Sequence, residues 1–280
     1  KMGELGLFGM YLPVKYGGQG MDTLSYIIAV EELARVDGSQ AATLAAHNSL
    51  GIGPLYYYGT EEQKMKYLPN LCSGKGLWGF GLTEPEAGSD SRGTKTVAKL
   101  ADGKWNINGS KIFITNASND FNLGSTVQTV TKIHPDGKKE YSCIIVEKGT
   151  VGFTQRAMHN KMMWRASDTA ELYFDDCIVP EANLLGKIGD GSRIMLSTLD
   201  NGRLSIAAMG LGAAQGAYEA ALAYAQERKQ FGKPIAKFQI NAFKLADMAM
   251  KIELARNLLY KACWLKDNHR PFAKEAAMSK

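Results

Sequence analysis

Cysteines, long apolar runs and blocks of like charge are all scarce in this chain. Its 280 residues include four cysteines, which are widely separated and form no C-x-x-C pair. This spacing is typical of reduced thiols in a cytosolic or organelle-matrix protein and argues against a disulfide framework. No stretch of 18 apolar residues and no signal-peptide pattern occurs, so the sequence predicts no membrane span.

Charge and composition exclude further classes. The chain carries 33 Lys and Arg against 28 Asp and Glu, a net charge of +5, with no run of five like charges. A nucleic-acid-binding stripe is therefore not expected, and the scattered Cys and His residues predict no metal site. Hydrophobic residues make up 45% of the chain, enough for a sizeable core divided among one to three domains.

Both ends of the sequence look cut. It opens at Lys1 without an initiator Met and closes at Lys280 inside a helical pattern that has no C-cap signal. We therefore expect a fragment truncated at both ends.

The periodicity of apolar residues divides the chain into three zones, which we predict to be domains over residues 1–75, 76–188 and 189–280. The first zone is helical. Asp22 or Thr23 can cap a helix at its start, and Thr60 with Gln63 has the spacing of a capping box before another helix.

The middle zone changes to the two-residue period of β-strands. Short strands are predicted over Val97–Leu100, Lys104–Ile107 and Ser110–Thr115. The dipeptides Asp102-Gly103 and Asn108-Gly109 between them favour tight hairpin turns. The zone is therefore expected to be an antiparallel β-barrel or sandwich.

The last zone returns to the helical period in two long segments, Arg203–Arg228 and Phe238–Asp267. Gly210, Gly212 and Gly216 look like a dinucleotide-binding fingerprint, but they lie inside a helical run and not at the strand-to-helix turn where that motif works. Each glycine in a helix is unfavourable by roughly 1 kcal/mol relative to Ala, so we interpret them as a close approach to another helix. The fold class is then α+β multidomain: N-terminal helices, a middle β domain and an incomplete C-terminal helical bundle.

The run Leu82–Asp90, of sequence LTEPEAGSD, has the strongest ligand-binding character. Thr83 and Ser89 offer hydroxyls, and Gly88 lets a ligand approach the backbone closely. Such a loop at the entry to a β domain suits a polar, planar or phosphorylated ligand. Residue chemistry alone leaves an ordinary capped loop as the other interpretation.

This run resembles the signature of the acyl-CoA dehydrogenase family, and further motifs in the family's order extend the resemblance over nearly the whole chain. They are Gly17–Met21, Phe113–Asn116, Arg165–Ser167, Val179–Gly186, Asp200–Arg203 and Glu227–Lys233. The resemblance implies FAD as cofactor, an acyl-CoA thioester as substrate and a place in fatty-acid β-oxidation. The stretches Asn201–Gly212 and Arg228–Lys237 most resemble the short-chain, butyryl-CoA branch.

By the same resemblance, two groups of residues bind FAD. Those implied to hold the flavin ring and to lead towards the pyrophosphate are Phe80, Leu82, Thr83, Gly88, Ser89, Phe113, Ile114 and Thr115. Those implied to reach the pyrophosphate and adenosine half bound by a neighbouring subunit are Arg228, Gln230, Phe231 and Gln239. Ser89, Asp200 and Arg203 are implied to contact the CoA substrate. Arginine suits phosphate, because its fork pairs bidentately with phosphate oxygens.

Two positions depart from the family pattern. Phe113 stands where tryptophan is common, so a ring is kept but the indole N–H is lost. Met163 stands where glycine is usual, and methionine tolerates a positive φ poorly. The turn at Met163 is therefore either rebuilt or does not need glycine.

The implied reaction is α,β-dehydrogenation, in which a carboxylate removes the α-proton of the thioester and the β-hydrogen leaves as hydride to the flavin. In the family the base is a glutamate, usually in a loop near the C-terminus and in a minority between the Asp and Arg of Asp-x-x-Arg. Asn201 and Gly202 occupy those two places here, which excludes the minority arrangement. No other acid matches, so we assign no catalytic residue and expect the base beyond Lys280. Glu84 and Asp90 are interpreted as structural.

The resemblance leaves alternatives open and implies partners. An acyl-CoA oxidase, a flavin monooxygenase or a nitroalkane oxidase would share the architecture, and a fragment without its base could serve only as an FAD- and CoA-binding module. A homodimer or homotetramer with the FAD site shared between subunits is expected, with an electron-transfer flavoprotein as electron acceptor. The expected location is the bacterial cytoplasm or, in a eukaryote, the mitochondrial matrix.

Overall fold

The computed structural model describes residues 1–280. By contacts between residues the chain forms two compact units. A β-rich unit contains residues 1–21 and 43–202, and a helical unit contains residues 22–42 and 203–280. The division into three domains by sequence stays a prediction.

Four helices and a π-helical stretch occupy the first part of the chain: α1 (Thr23–Val36), α2 (Gly38–Ala46), the π-helical stretch (His47–Ile52), α3 (Gly53–Tyr58) and α4 (Glu61–Cys72). Both predicted helix starts are confirmed. The Asp22 side chain accepts a hydrogen bond from the Ser25 backbone N–H, and Thr60 with Gln63 forms the capping box.

The sheet of the β-rich unit has eight strands: β1 (Leu77–Gly81), β2 (Val97–Ala101), β3 (Lys104–Thr115), β4 (Asn122–Ile133), β5 (Lys139–Glu147), β6 (Phe153–Ala157), β7 (Thr169–Pro180) and β8 (Leu184–Leu185). Their order is β6-β7-β3-β2-β4-β5-β8, with β1 beside β4. Most neighbours are antiparallel, as expected, but β1 runs parallel to β4, and β2 joins β4 through one parallel pair.

One predicted turn is wrong. Lys104–Ile107 and Ser110–Thr115 belong to a single strand, β3, which pairs along its length with β7. Asn108-Gly109 is an irregularity within this strand, where the ladder shifts. Gly109 has a φ of +141°, and a Cβ there would lie 2.7 Å from the Thr96 Cα. The glycine therefore allows close strand packing instead of a chain reversal.

Apolar side chains cover both faces of this sheet. Cys143 and Ile145 of β5 belong to a core that includes residues of α3 and α4. Ile144 and Val146 point the other way, into a core formed mainly by strands. β1 is buried along its whole length, so the run Leu82–Asp90 starts from a well-fixed point.

The helical unit contains α1, the later part of α5 (Gly191–Glu227), the hairpin of β9 (Lys229–Gln230) and β10 (Lys233–Pro234), α6 (Gln239–Asp267) and α7 (Ala273–Ser279). A Cβ on Gly212 would lie 2.1 Å from the Glu31 carbonyl oxygen, and one on Gly216 would lie 2.3 Å from that of Arg35. α5 and α1 therefore pack backbone against backbone, which confirms the prediction for these two glycines. The prediction is wrong for Gly210, because a Cβ there would meet nothing within 4 Å.

The same glycines lie inside α5 and not at a strand-to-helix turn. This rules out the dinucleotide-binding fingerprint, as the sequence indicated. No helix is both long and apolar enough to cross a membrane.

Candidate active site

Six of the residues expected at the flavin ring line one cavity of about 160 Å³ in the β-rich unit: Phe80, Leu82, Thr83, Phe113, Ile114 and Thr115. We call it the β1–β3 cavity. Its lining is completed by Ala46, Leu50, Trp78 and Leu199. The cavity is smaller than the roughly 300–1,000 Å³ of pockets that enclose a whole drug-sized ligand. It therefore suits one ring system of a larger ligand.

The first wall of the cavity is the end of β1 and the two residues that follow it. Phe80 and Leu82 are buried. The Thr83 carbonyl accepts a hydrogen bond from the Ile112 backbone N–H at 2.9 Å, which fastens the run to β3. The Thr83 hydroxyl makes no hydrogen bond within the chain, so it is available to a ligand.

The second wall is a bulge in β3. Lys111 pairs with Leu172 of β7 and Ile114 with Ala170, so three residue steps on β3 match two on β7. Phe113 lies in this bulge with a φ of +62°, a left-handed conformation that a bulky side chain adopts only when its surroundings impose it. Its ring is 61% exposed. The bulge therefore turns the ring out of the sheet and onto the cavity.

The segment that follows Thr115 is held by Asp168. The Asp168 carboxylate accepts hydrogen bonds from the backbone N–H groups of Ser118 at 2.7 Å and Asn119 at 3.1 Å. Its carbonyl accepts from the Asn116 N–H at 3.2 Å. The sequence did not reveal this role, because the partners lie about 50 residues apart and no local motif marks the pair.

Behind the first wall lies a buried ion pair that the sequence also did not reveal. The Lys111 Nζ donates to a Glu84 carboxylate oxygen at 2.8 Å and to the Leu82 carbonyl oxygen at 3.2 Å. The two side chains are 0% and 5% exposed. Glu84 also accepts from the backbone N–H groups of Lys95 at 2.7 Å and Thr96 at 3.1 Å, which confirms its structural role.

Burial and mutual attraction set the charges of this pair. Burial lowers the pKa of Lys111 to about 8, and the negative charge of Glu84 opposes that shift. Burial by itself would raise the pKa of Glu84, but Lys111 and the hydrogen bonds from Thr96 and Lys95 hold it below its usual value. Both groups are therefore charged near neutral pH.

Gly88 and Ser89, the other two residues expected on this loop, do not line the cavity. Both are exposed, and a Cβ on Gly88 would meet nothing within 4 Å. Asp90 accepts a hydrogen bond from the Arg92 backbone N–H at 3.2 Å and caps the short turn Ser91–Gly93. This agrees with the structural role expected for Asp90.

The residues expected to reach a partner subunit's FAD belong to the helical unit: Arg228, Gln230, Phe231 and Gln239. All four are exposed: Arg228 directly precedes β9, Gln230 and Phe231 lie on the β9–β10 hairpin, and Gln239 is the first residue of α6. Asp200 and Arg203, three residues apart on α5, are half-buried and belong to the β-rich and the helical unit respectively. Their contacts with a ligand stay predictions.

The departure at Met163 does not require a rebuilt turn around a strained methionine. The residues with positive φ in this segment are Asn160 and Trp164, at +59° and +51°, and Met163 is not among them. The position therefore does not need glycine.

Family models and relatives agree with this architecture. The acyl-CoA dehydrogenase N-terminal domain matches residues 1–75, the middle domain residues 79–177 and the C-terminal domain residues 189–280. A probable acyl-CoA dehydrogenase of Bacillus subtilis is 53% identical over 280 residues, which is 100% of this chain and 73% of that protein. The chain belongs to the acyl-CoA dehydrogenase family.

Solved structures support the same conclusion. The butyryl-CoA dehydrogenase of Megasphaera elsdenii gives a TM-score of 0.95 at 46% identity, over 99% of this chain and 73% of that chain. A chain in the structure described as the electron transferring flavoprotein of Acidaminococcus fermentans gives 0.94 at 48% identity, over 99% and 72%. The mixed α+β fold is confirmed, and the protein is an FAD-dependent oxidoreductase of this family.

The β1–β3 cavity fits the flavin ring of FAD on chemical grounds. Its walls are mostly apolar. The Trp78 indole N–H donates to the Thr126 hydroxyl at 3.0 Å, which leaves the hydroxyls of Thr83 and Thr115 as the polar side-chain groups of the lining without a bond within the chain. A planar ring with one polar edge is the kind of ligand that apolar walls with a few convergent polar groups receive. None of the ten lining residues is acidic.

Proposed function

We propose that the β1–β3 cavity holds the flavin ring and that the protein converts a short-chain acyl-CoA thioester to the trans-2-enoyl-CoA. The observation that supports this most strongly is the convergence of the end of β1 and the strained bulge of β3 on one cavity, with two unpartnered threonine hydroxyls in its lining. The ring-contact residues and the substrate residues are part of this proposal.

Bound FAD supplies the acceptor for the β-hydrogen of the substrate, which leaves as hydride. Thr83 and Thr115 orient the ring by hydrogen-bonding its polar edge. Leu82 on one wall and Ile114 on the other keep water from the ring. Phe113 covers the ring from the side of the β3 bulge. Excluding water strengthens every polar contact made at the reacting centre.

The base that removes the α-proton is not part of this cavity. No acid lines it, and the carboxylate of Glu84 is already engaged by Lys111 and by two backbone N–H groups. A carboxylate held in this way is a poor base, because its lone pairs are used and its pKa is lowered. Neither the lining of the cavity nor Glu84 therefore supplies the base.

The names of relatives support a short acyl chain, since a short-chain specific acyl-CoA dehydrogenase of Clostridium acetobutylicum is 48% identical to this chain. The Megasphaera relative acts on butyryl-CoA by its name. We propose that Ser89, Asp200 and Arg203 contact the CoA part of the substrate, Arg203 through its charge.

The surface of the helical unit supports subunit association. α6 exposes large apolar side chains, at Ile240, Phe243, Met250, Leu254 and Trp264, which is typical of an interface helix. We propose a homodimer or homotetramer in which Arg228, Gln230, Phe231 and Gln239 reach the FAD of a partner. Similarity to a chain from an electron transferring flavoprotein structure supports such a flavoprotein as electron acceptor. Location in the bacterial cytoplasm or the mitochondrial matrix completes the proposal.

Adding butyryl-CoA to the FAD-loaded protein, expressed from its complete gene, tests the reaction. We expect the visible flavin absorbance to bleach, with little peroxide formed in air. Rapid peroxide formation would instead favour an acyl-CoA oxidase. No bleaching by butyryl-CoA or by longer acyl-CoA thioesters would contradict the proposed reaction.

Two threonine variants test the site. Thr83→Val should lower the amount of FAD that the purified protein retains, because the ring loses a hydrogen-bond partner. Thr154→Val is the matched control, since Thr154 is exposed on β6 and lines no part of the cavity. Equal FAD retention in both variants would count against the assigned ring position.

A further inference from the structure

The buried pair of Lys111 and Glu84 touches both walls of the β1–β3 cavity. Lys111 belongs to β3, two residues before the strained Phe113. Its Nζ holds the Leu82 carbonyl of the opposite wall at 3.2 Å and Glu84 at 2.8 Å. The aliphatic stem also lies against β1, where a Cβ on Gly81 would be 3.4 Å from the Lys111 Cγ.

We propose that Lys111 and Glu84 are positioning residues for the flavin ring, which lock the two cavity walls together and place a compensated charge pair directly behind the ring. This inference rests on the proposed FAD site. Neither residue lines the cavity, so both act through the residues that do.

Two hydrogen bonds connect the two walls of the cavity. Lys111 fixes the Leu82 carbonyl, and with it the plane of the peptide that joins Leu82 to Thr83. The Ile112 N–H fixes the next carbonyl, that of Thr83, at 2.9 Å. Two consecutive carbonyls of one wall are thus tied to two consecutive residues of the other. The direction of the Thr83 side chain follows from this.

Glu84 connects this network of hydrogen bonds to the loop that follows β1. It accepts from the N–H groups of Lys95 and Thr96, and its own backbone exchanges two hydrogen bonds with Ala87, at 3.0 and 3.1 Å. The loop that carries Gly88 and Ser89 is closed at its base by these bonds.

The buried position of the Lys111–Glu84 pair indicates a role other than stability. Well-packed apolar residues are often as stabilising as a buried ion pair, so stability alone does not favour a charged pair. A buried charge is screened much less than a surface charge. If one member is removed, the remaining charge should act on a ring held against Leu82 and Thr83.

Four variants of the FAD-loaded protein test the inference: Lys111→Met, Lys111→Arg, the double variant Lys111→Met with Glu84→Gln, and Arg256→Met. The last is the matched control, because Arg256 forms a largely buried pair with Glu31 in the helical unit, the two side chains being 23% and 5% exposed, and lines no part of the cavity. FAD affinity, the flavin reduction potential and the melting temperature are measured for each.

We expect Lys111→Met to weaken FAD binding about tenfold, which corresponds to about 1.4 kcal/mol. Losing Lys111 should raise the pKa of Glu84, because burial is then opposed only by the hydrogen bonds from Lys95 and Thr96. At alkaline pH, where Glu84 is ionised, the reduction potential should therefore be more negative than in the wild type. Lys111→Arg should restore the potential. The double variant should bring the potential back towards the wild-type value while FAD binding stays weak, since Leu82 remains unheld. Arg256→Met should lower the melting temperature without changing either flavin measurement.

Unchanged affinity and potential in Lys111→Met would overturn the inference, as would equal flavin changes in Arg256→Met, which would indicate general loosening. If Lys111→Met does not fold, Lys111→Arg and the double variant still decide: a double variant with a potential as negative as expected for Lys111→Met would also overturn it. Loss of FAD in Thr83→Val but not in Lys111→Met would reject the inference and leave the proposed site standing. No loss in either would reject the site itself.

Discussion

Each of the two compact units contains an ion pair with a buried carboxylate, and the two pairs have different roles. In the β-rich unit, Lys111 and Glu84 connect a strand to a ligand-binding loop behind a cavity. In the helical unit, the Glu31 carboxylate of α1 accepts from Arg256 at 3.0 Å and from the Tyr260 hydroxyl at 2.8 Å, both on α6. The first pair supports a site, whereas the second connects helices.

The partners explain the difference. Arg256 also donates to the Gln215 side chain of α5 at 2.9 Å, so one guanidinium joins three helices. Its fork geometry allows several directed hydrogen bonds at once. Lys111 instead delivers a point charge to one carboxylate and one carbonyl. A buried charge therefore does not by itself indicate a functional site. The indication comes from the cavity next to the residues that the charge contacts.

Breaking the helical pair should have the largest effect on stability. Arg256→Met leaves the buried Glu31 carboxylate without its cation and with the Tyr260 hydroxyl as its remaining partner, and we expect a loss at the lower end of roughly 3–5 kcal/mol in the free energy of unfolding. Urea denaturation measures it. Lys66→Met is the control, since Lys66 and Glu147 are 57% and 40% exposed and an exposed pair contributes under about 1 kcal/mol. Equal losses in both variants would show that burial does not distinguish the pairs.

The β-rich unit also buries His47, a titratable side chain without a charged partner. His47 is fully buried, and its Nε2 lies 3.0 Å from the Leu71 carbonyl oxygen while its Nδ1 has no partner. Burial lowers the pKa of His47 to about 4. Because the folded pKa is below the unfolded value near 6.5, the full stability is present above pH 6.5 and is lost as the pH falls towards 4.

The expected loss across that window is roughly 3 kcal/mol. His47→Gln keeps a donor for the Leu71 carbonyl but does not titrate, so its stability should stay nearly flat between pH 6.5 and 5. Below that range the paired carboxylates begin to contribute in both proteins. Parallel pH profiles for the two proteins above pH 5, from thermal denaturation, would contradict this account of His47.

Two glycines of α5 test how the helical unit is packed. Gly212→Ala places a Cβ 2.1 Å from the Glu31 carbonyl oxygen, so backbone must move, and we expect a loss of about 1–3 kcal/mol. Gly210→Ala meets nothing within 4 Å and should stabilise by up to about 1 kcal/mol through helix propensity. Melting temperatures that move in the same direction would refute the backbone contact between α1 and α5.

Sequence patterns predicted the features that depend on short motifs. The caps at Asp22 and Thr60, the helical packing at Gly212 and the six residues of the β1–β3 cavity follow from short motifs or from the family resemblance. The caps are satisfied by neighbours three residues away and Gly212 by a contact that only glycine permits. That the six cavity residues contact a flavin ring stays a prediction.

Features decided by distant partners could not be predicted in the same way. Asn108-Gly109 favours positive φ, which suits a hairpin and a bulge equally, and only pairing with β7 decides between them. Lys111 looks like a solvent-facing lysine in a strand, because its partner Glu84 lies 27 residues away. The bulge at Phe113 depends on β7 as well. The support behind the site is thus less visible in the sequence than its lining.

We expect the smallest change in stability at Gly88. A variant there tests whether this residue contacts FAD. Gly88 does not have a positive φ and a Cβ there would meet nothing within 4 Å, so Gly88→Ala should change the free energy of unfolding by less than about 1 kcal/mol. If the FAD pyrophosphate passes over this loop, the added methyl group should still lower FAD affinity, as measured by flavin titration of the apoprotein. Gly210→Ala, equally unhindered but in the helical unit, should bind FAD normally. Wild-type affinity in Gly88→Ala would remove Gly88 from the proposed ligand contacts.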